Sequence, residues 1–303
     1  FFFIAAYFLE GSYDRKGAWG FLKGRLIRLG LPLVFFALIF LPVYNWLSAP
    51  GDTPFLTYVA RDSIGVGRFD FDHLWFVAHL LIYSGFYVLW RTVAGPRRDR
   101  PGPRPPGHLA ILGYAVALGL VTLAVRSVFP QDRWVMVLGL VPAEIGHLPQ
   151  YLSLFLIGVL AARGRWFTEI PRRTCTIWFW IGMGMFALAV PVGNPDATLP
   201  SWLTIERVWA VHEGFVGIAM ILGVTGLFRA RLGTPGPWLA RLAPQVYGVY
   251  LVHFYIIIEV QRVLLAWDGA ALAKFAVATV VTLLISFPLV AALRRLPGVA
   301  KVL

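Results

Sequence analysis

Apolar residues in this chain come in long windows rather than in alternation. After the opening FFFIAAYFLE, eight windows follow, near residues 29 to 49, 73 to 93, 109 to 127, 147 to 162, 174 to 190, 207 to 228, 243 to 266 and 271 to 293. A stretch of about 17 to 25 apolar residues crosses about 30 Å of hydrocarbon as a helix, the conformation that pairs its own backbone groups where water is absent. The pattern predicts an all-α, polytopic transmembrane helical bundle with eight full spans and a partial one at the start. The fourth window is short. WVMVLGLVP at 134 to 142 is expected either to extend it outward past a break at Pro142 or to lie as a separate interfacial helix. The opening has no initiator methionine and no basic flank, which is unlike a signal peptide. The sequence is therefore read as an N-terminally incomplete copy of a longer protein.

Charge tests the spans independently, because lysine and arginine collect in cytoplasmic loops. Loops near residues 15 to 28, 91 to 104, 163 to 173, 229 to 241 and 294 to 301 hold 20 of the 27 cations, and the intervening loops hold 7. This strict alternation predicts a cytoplasmic C-terminus and a multi-pass protein of a bacterial-type inner (plasma) membrane. Phe1 to Leu9 becomes the inner end of a span running outside to inside. The segment GPRRDRPGPRPPGH at 95 to 108 reads as an extended, cationic cytoplasmic loop beside anionic lipid headgroups. The whole chain, 1 to 303, reads as one membrane-embedded domain lacking its first helix.

Composition agrees and excludes. At 58% hydrophobic and 14% charged, the chain is too apolar for a water-soluble surface. Its net charge of +12 sits in short loops between spans, which argues against nucleic acid and for membrane lipid as its partner. The single cysteine, Cys175, has no second thiol for a disulfide or a metal site, which argues against metal and redox chemistry.

Ionisable groups within spans need a partner or a wet cavity, since each costs about 2.5 to 3.5 kcal/mol at the bilayer centre. His73 and His79 fall at the outer end of their span, and Glu144, His147 and Gln150 at another outer end. His212 and Glu213 sit just inside a third. Glu259, Gln261 and Arg262 occupy the outer half of the helix that carries Tyr250 and His253 near its middle. One such residue alone is more often a satisfied structural group; convergence from four spans predicts a hydrophilic pocket that opens outward. In DHLWFVAHLLIYSGFYVLW, the residues Trp75, His79, Tyr83, Tyr87 and Trp90 share a helix face. Such a stripe suits sugar rings, which present C–H faces and hydroxyl edges together, and its two tryptophans equally suit an aromatic belt.

On the opposite side, a helix over Lys16 to Leu29 would carry an apolar stripe of Trp19, Leu22, Leu26 and Leu29. Lys16 and Lys23 on one edge read as headgroup anchors. Arg25 and Arg28, one turn apart on the other edge, can also grip a phosphate or pyrophosphate with two planar forks. Pro32 is expected to kink the span and expose the pair to the bundle interior.

The elements FFFIAAYFLEGSYDRKGAWGFLKGRLIRLGLPL, HLWFVAHLLIYS, PQYLSLFLIGVLAARGRW and PQVYGVYLVHFYII, in that order, resemble the acyltransferase-3 family of integral membrane proteins. The RKG-FL-R-R-LGLPL and HLWF elements are closest to its glucan-modifying (succinyl or acetyl) branch. The resemblance implies ten transmembrane helices in the full-length protein. It also implies transfer of an acetyl or succinyl group from acyl-CoA, as co-substrate, to a hydroxyl of an extracytoplasmic glycan or similar acceptor. It places an R-x-x-R element on Arg25 and Arg28, as phosphate ligands of acyl-CoA. His73, Trp75, His79 and Glu213 would then line the acceptor side, with Tyr250 and His253 nearer the thioester. It puts the catalytic histidine on the first helix, which this chain lacks, so the catalytic residue here is unknown and the chain alone is expected to be inactive. Where the family has glycine in its second helix, this sequence has Ala6. Two rivals remain open: a polytopic transporter or exporter of a glycan precursor, and a degenerate noncatalytic member.

Overall fold

The computed structural model describes residues 1–48, 53–63, 70–95, 102–192, 204–234 and 236–303. The chain starts with helices α1 (Phe2–Tyr7) and α2 (Leu9–Arg25), then a π turn (Leu26–Gly30), α3 (Leu31–Phe35), a second π turn (Phe36–Phe40) and α4 (Leu41–Ser48). Next come α5 (Phe55–Tyr58), α6 (Trp75–Ala94) behind a 3-10 turn (Asp72–Leu74), and α7 (His108–Arg126). A hairpin of β1 (Trp134–Val137) and β2 (Val141–Glu144) precedes α8 (Leu148–Arg163), α9 (Trp166–Glu169), α10 (Arg172–Val192) and α11 (Ile205–Arg231). The chain then forms α12 (Pro237–Leu242), α13 (Val246–Leu264), α14 (Ala271–Leu293) and α15 (Val299–Val302).

This is an all-α polytopic bundle. Among the described residues, seven helical stretches are long and apolar enough to cross a membrane: Leu9–Ser48, Asp72–Ala94, His108–Arg126, Ile145–Arg163, Ile205–Arg231, Pro237–Leu264 and Ala271–Leu293. The remaining expected span, 174 to 190, lies within α10, whose 21 residues rise about 31 Å at 1.5 Å each. Large apolar side chains such as Leu31, Val34, Leu38 and Ile39 stay exposed along one face, as a lipid-facing helix requires. The cationic loop at 95 to 108 falls in part, at 96 to 101, outside the described residues, as does Arg68.

Residues 134 to 142 are not helical. Trp134 pairs with Glu144 and Val137 with Val141 in an antiparallel hairpin. Its turn has Leu138 at φ 53° and Gly139 at φ 66°, the two positive values that hairpin turns prefer, and Val135, Val137 and Val141 favour the pleat.

The chain divides into two compact units. The first unit comprises Phe1–Ala18 and Leu89–Thr234. Its core is Ile111, Ala115 and Leu118 of α7, Trp178 of α10, and Ile218 and Ala219 of α11. Lipid is as apolar as the side chains, so helices here associate through close van der Waals contact at small residues. Gly223 faces Phe179 and Gly226 faces Cys175, each so near that a methyl group would collide. On α1, Ala6 is wholly buried and packs on Gly158 of α8, where an added Cβ would lie 2.8 Å from that of Ala6. The close approach that a glycine in the second helix would allow is thus supplied from the opposite side.

The second unit comprises Trp19–Val88 and Pro235–Leu303. Its boundary with the first falls beside Gly17, whose φ of 68° and ψ of 173° interrupt α2. Only glycine takes that backbone freely. The expected apolar stripe is not one buried face: Trp19 is 72% exposed and Leu26 45%, whereas Leu29 is buried. Within the unit, α13 packs on α14, with Gly248 against Val290. The guanidinium of Arg294 donates to the carbonyl of Pro244 at 2.8 Å and to that of Leu303.

Two substitutions on α11 separate packing from helix propensity. Alanine is favoured over glycine within a helix by about 0.5 to 1 kcal/mol, and Gly217 has open space around it. Gly217→Ala is expected to raise the thermal midpoint in detergent. Gly226→Ala is expected to lower it, because overpacking against Cys175 costs about 1 to 3 kcal/mol. Shifts of the same sign would show that the Gly226 contact does not hold α10 and α11 together.

Candidate functional site

The most connected group of predicted site residues lies in the second unit, where α6 begins. Asp72 sits at φ 44°, a left-handed conformation that aspartate tolerates better than most residues. Its N–H donates to Asp70 Oδ1 at 2.8 Å. This sharp entry sets His73 against α13 in a reciprocal clasp. Tyr250 Oη donates to the His73 carbonyl at 2.7 Å, and His73 Nε2 lies 3.2 Å from the Tyr250 carbonyl. A carbonyl only accepts, so Nε2 carries the proton and Nδ1 of the neutral ring keeps a lone pair. That Nδ1 is buried and has no hydrogen-bond partner among the described residues. His253 Nδ1 meets the same Tyr250 carbonyl at 2.8 Å, so one main-chain oxygen orients both imidazoles. The two rings stand edge to face, 5.7 Å apart.

Aromatic side chains wall this group. His73 stacks on Phe254 at 4.8 Å and meets Tyr255 edge-on at 5.4 Å. Tyr255 in turn packs on Phe36, Phe40 and Tyr44. An apolar cavity of about 690 Å³ reaches Tyr255 from Pro32, Leu289 and Leu303. Farther along α6, Trp75 lies edge-on to His79 at 5.6 Å, and His79 Nδ1 is 3.3 Å from Tyr83 Oη. His79, Tyr83 and Tyr87 are buried, whereas Trp90 is 45% exposed.

Arg25 and Arg28 belong to the same unit. Arg25 ends α2, half-buried, with its guanidinium 5.2 Å from the Phe21 ring centre in a cation–π contact. Arg28 lies inside the first π turn with its side chain exposed. Pro32 does not break the helical run. It brings no N–H to the carbonyl four residues earlier, which is that of Arg28. That carbonyl accepts from Tyr247 Oη at 2.6 Å. Tyr247 and Tyr250 are three residues apart on α13, a rise of about 4.5 Å. The arginine pair and the His73 group, expected toward opposite faces of the bundle, are thus joined to successive turns of one helix.

Glu213, expected beside His73, sits in the first unit with partners of its own. It accepts from Arg126 Nη2 at 2.6 Å and from Gln150 Nε2 at 3.3 Å. His147 Nε2 lies 3.4 Å from it, and His147 Nδ1 lies 2.8 Å from Glu144. Glu144, His147, Gln150 and Glu213, from two of the four spans expected to converge, meet here. His212, the neighbour of Glu213, instead points Nε2 at the Met185 carbonyl, 2.8 Å away.

A second ionic group in the first unit escaped the reading of the sequence. Glu10, only 2% exposed, lies 3.0 Å from Arg163 and 3.6 Å from Arg91, and Arg91 also pairs with Asp14 at 2.8 Å. Arg163 covers the Trp90 ring and Arg91 the Tyr13 ring. The available signal was the i, i+4 spacing of Glu10 and Asp14, which puts two carboxylates on one helix face. Tyr247 was missed as well; the missing N–H of Pro32 was its signal. Among the described residues, no group of three or more histidine, cysteine, aspartate or glutamate side chains is placed to hold a metal ion.

This membrane bundle matches the acyltransferase-3 family, described as an acyltransferase domain, over residues 1–291, and the chain belongs to that family. It is also similar to two proteins named drug efflux pump JefA, from Mycobacterium tuberculosis strains CDC 1551 / Oshkosh and ATCC 25618 / H37Rv. Each is 25% identical over 237 residues, covering 75% of this chain and 44% of the relative. The chain thus spans less than half the length of these curated relatives. No solved structure matches it significantly.

The Glu10 group yields a graded expectation. Removing one member of a buried ion pair strands its partner and costs about 3 to 5 kcal/mol, whereas a pair open to solvent is worth about 1 kcal/mol or less. Glu10→Ala is expected to lower the thermal midpoint sharply. Asp14→Ala, at a carboxylate 36% exposed, is expected to shift it slightly. Comparable shifts in a melting assay would mean that Glu10 is not the anchor.

Proposed function

We propose that this chain is the membrane domain of an acyltransferase that moves an acetyl or succinyl group from acyl-CoA to a hydroxyl of an extracytoplasmic glycan or similar acceptor. The cation asymmetry of the loops supports a bacterial-type inner membrane with Arg25 and Arg28 reached from the cytoplasm and the C-terminus on that side. The observation that carries the reading is the pair of contacts on α13: Tyr247 touches Arg28 and Tyr250 touches His73, one turn apart. In this reading Arg25 and Arg28 hold phosphates of acyl-CoA, as bidentate forks suit. The apolar cavity between Pro32 and Tyr255 receives the uncharged arm of the donor. His73, Trp75, His79, Tyr250 and His253 serve the acceptor side.

The acceptor oxygen would attack the thioester carbonyl, the C–S bond would break, and the hydroxyl proton would leave to a base while the coenzyme departs as the thiol. The resemblance puts that base on a helix outside these residues. The role of His73 is to receive a hydroxyl at its Nδ1 lone pair, in a place closed to water. The 95 to 108 loop would lie against anionic headgroups.

A second reading, a transporter, is favoured by the 25% likeness to a drug efflux pump and by the same cavity. The two readings differ in whether thioester is consumed.

In the full-length protein, Arg25→Ala and Arg28→Ala are each expected to weaken acetyl-CoA binding at least tenfold, since a hydrogen bond to a charged group is worth about 1.5 to 3 kcal/mol. Arg28→Lys is expected to recover only part of the loss, because an ammonium cannot make the bidentate grip. Binding by isothermal titration, paired with an assay of free thiol release, checks both points. Unaltered affinity in the alanine variants would remove the donor-site assignment, and transport without thiol release would favour the second reading.

A further inference from the structure

We infer that Tyr247 is a positioning residue for the arginine pair: its hydroxyl caps the main-chain carbonyl that Pro32 leaves open, and so holds Arg25 and Arg28 at a fixed spacing. This rests on the reading of that pair as the phosphate site. Pro32 has no N–H to offer the Arg28 carbonyl. The helix does not break there. It widens, and the Leu31 N–H reaches back five residues to the Leu26 carbonyl. In an α-helical register the donor to the Arg28 oxygen would be the N–H that Pro32 lacks. Tyr247 Oη supplies one at 2.6 Å.

The donor is itself held from three directions. Arg294 ties the 3-10 turn before α13 through the Pro244 carbonyl at 2.8 Å. Gly248, the next residue along α13, lies so close to Val290 that an added Cβ would come within 2.6 Å of its methyl group. The short helix α15 packs against the π turn. Tyr247 therefore meets the Arg28 carbonyl from a rigid platform.

The consequence for recognition is geometric. Arg25 precedes the widened turn and Arg28 lies within it, so the spacing of their guanidinium groups follows the backbone between them. Two planar forks gain their specificity for phosphate only when that spacing is fixed beforehand. A phenol that pins the backbone at Arg28, one end of the pair, raises affinity without touching the ligand.

The test uses the full-length protein in nanodiscs with acetyl-CoA as the probe. Tyr247→Phe, which deletes only the hydroxyl, is expected to weaken binding about tenfold, the upper end of what one hydrogen bond contributes. Pro32→Ala restores an N–H to that carbonyl, so Tyr247→Phe added to Pro32→Ala is expected to change affinity by less than about twofold, as non-additivity within one network requires. A purely structural role would not be rescued in this way. An equal loss in both backgrounds would overturn the proposal and mark Tyr247 as a ligand contact. Normal binding by Tyr247→Phe, with Arg25→Ala and Arg28→Ala still impaired, would overturn it while leaving the donor site intact. Normal binding by the arginine variants themselves would remove the donor site first. If Tyr247→Phe fails to fold, the double variant decides: it folds and binds when the carbonyl is the reason, and its failure to fold refutes the proposal.

Discussion

Every backbone carbonyl and amide inside hydrocarbon must find a partner within the protein, and the site follows from where helices leave one open. Tyr247 donates to the carbonyl of Arg28, four residues before Pro32. Carbonyls that already serve a helix take second donors: that of Tyr250 takes both His73 and His253, and that of Met185 takes His212. Near the ends of helices, arginines do the same work. Arg229 donates to the carbonyls of Phe167, Thr168 and Ile170, and Arg294 to that of Pro244. In a neutral imidazole that donates to a carbonyl, the lone pair sits on the other nitrogen.

Packing obeys the same absence of water. With no hydrophobic gain from joining two lipid-bathed helices, α10 meets α11 through Gly223 and Gly226, and α1 meets α8 through Gly158. The exchange between Ala6 and Gly158 shows that closeness is a property of the pair, so an alanine on one helix is compatible with the family's tight packing when the other helix yields the volume. Among the described residues, the buried charges lie in two closed groups. Glu10 is shared by Arg91 and Arg163, and Glu213 by Arg126, His147 and Gln150.

Membership of the acyltransferase-3 family frames the chemistry without assigning it residue by residue. Within the second unit, the arginine pair, an apolar cavity and a two-histidine group are all served by α13.

The spans were legible because hydrocarbon thickness is a length, and length is written in the run of apolar residues; all eight expected windows coincide with helices to within a few residues. The hairpin at 134 to 144 was hidden in an apolar run that periodicity reads equally as helix or strand, and a two-residue positive-φ turn decided it. His73, His253 and Tyr250 were legible singly as polar residues in spans. Their union was not, since it depends on which turn of α13 faces the entry of α6. Glu213, expected on the acceptor side, was legible as a polar residue in a span, but its pairing with Arg126 was not. Sequence by itself determined what crosses the membrane, because that is a local balance of transfer free energies along the chain. Only tertiary structure decided which polar groups meet, because a hydrogen bond is a matter of a few ångströms between segments separated by as many as 219 residues.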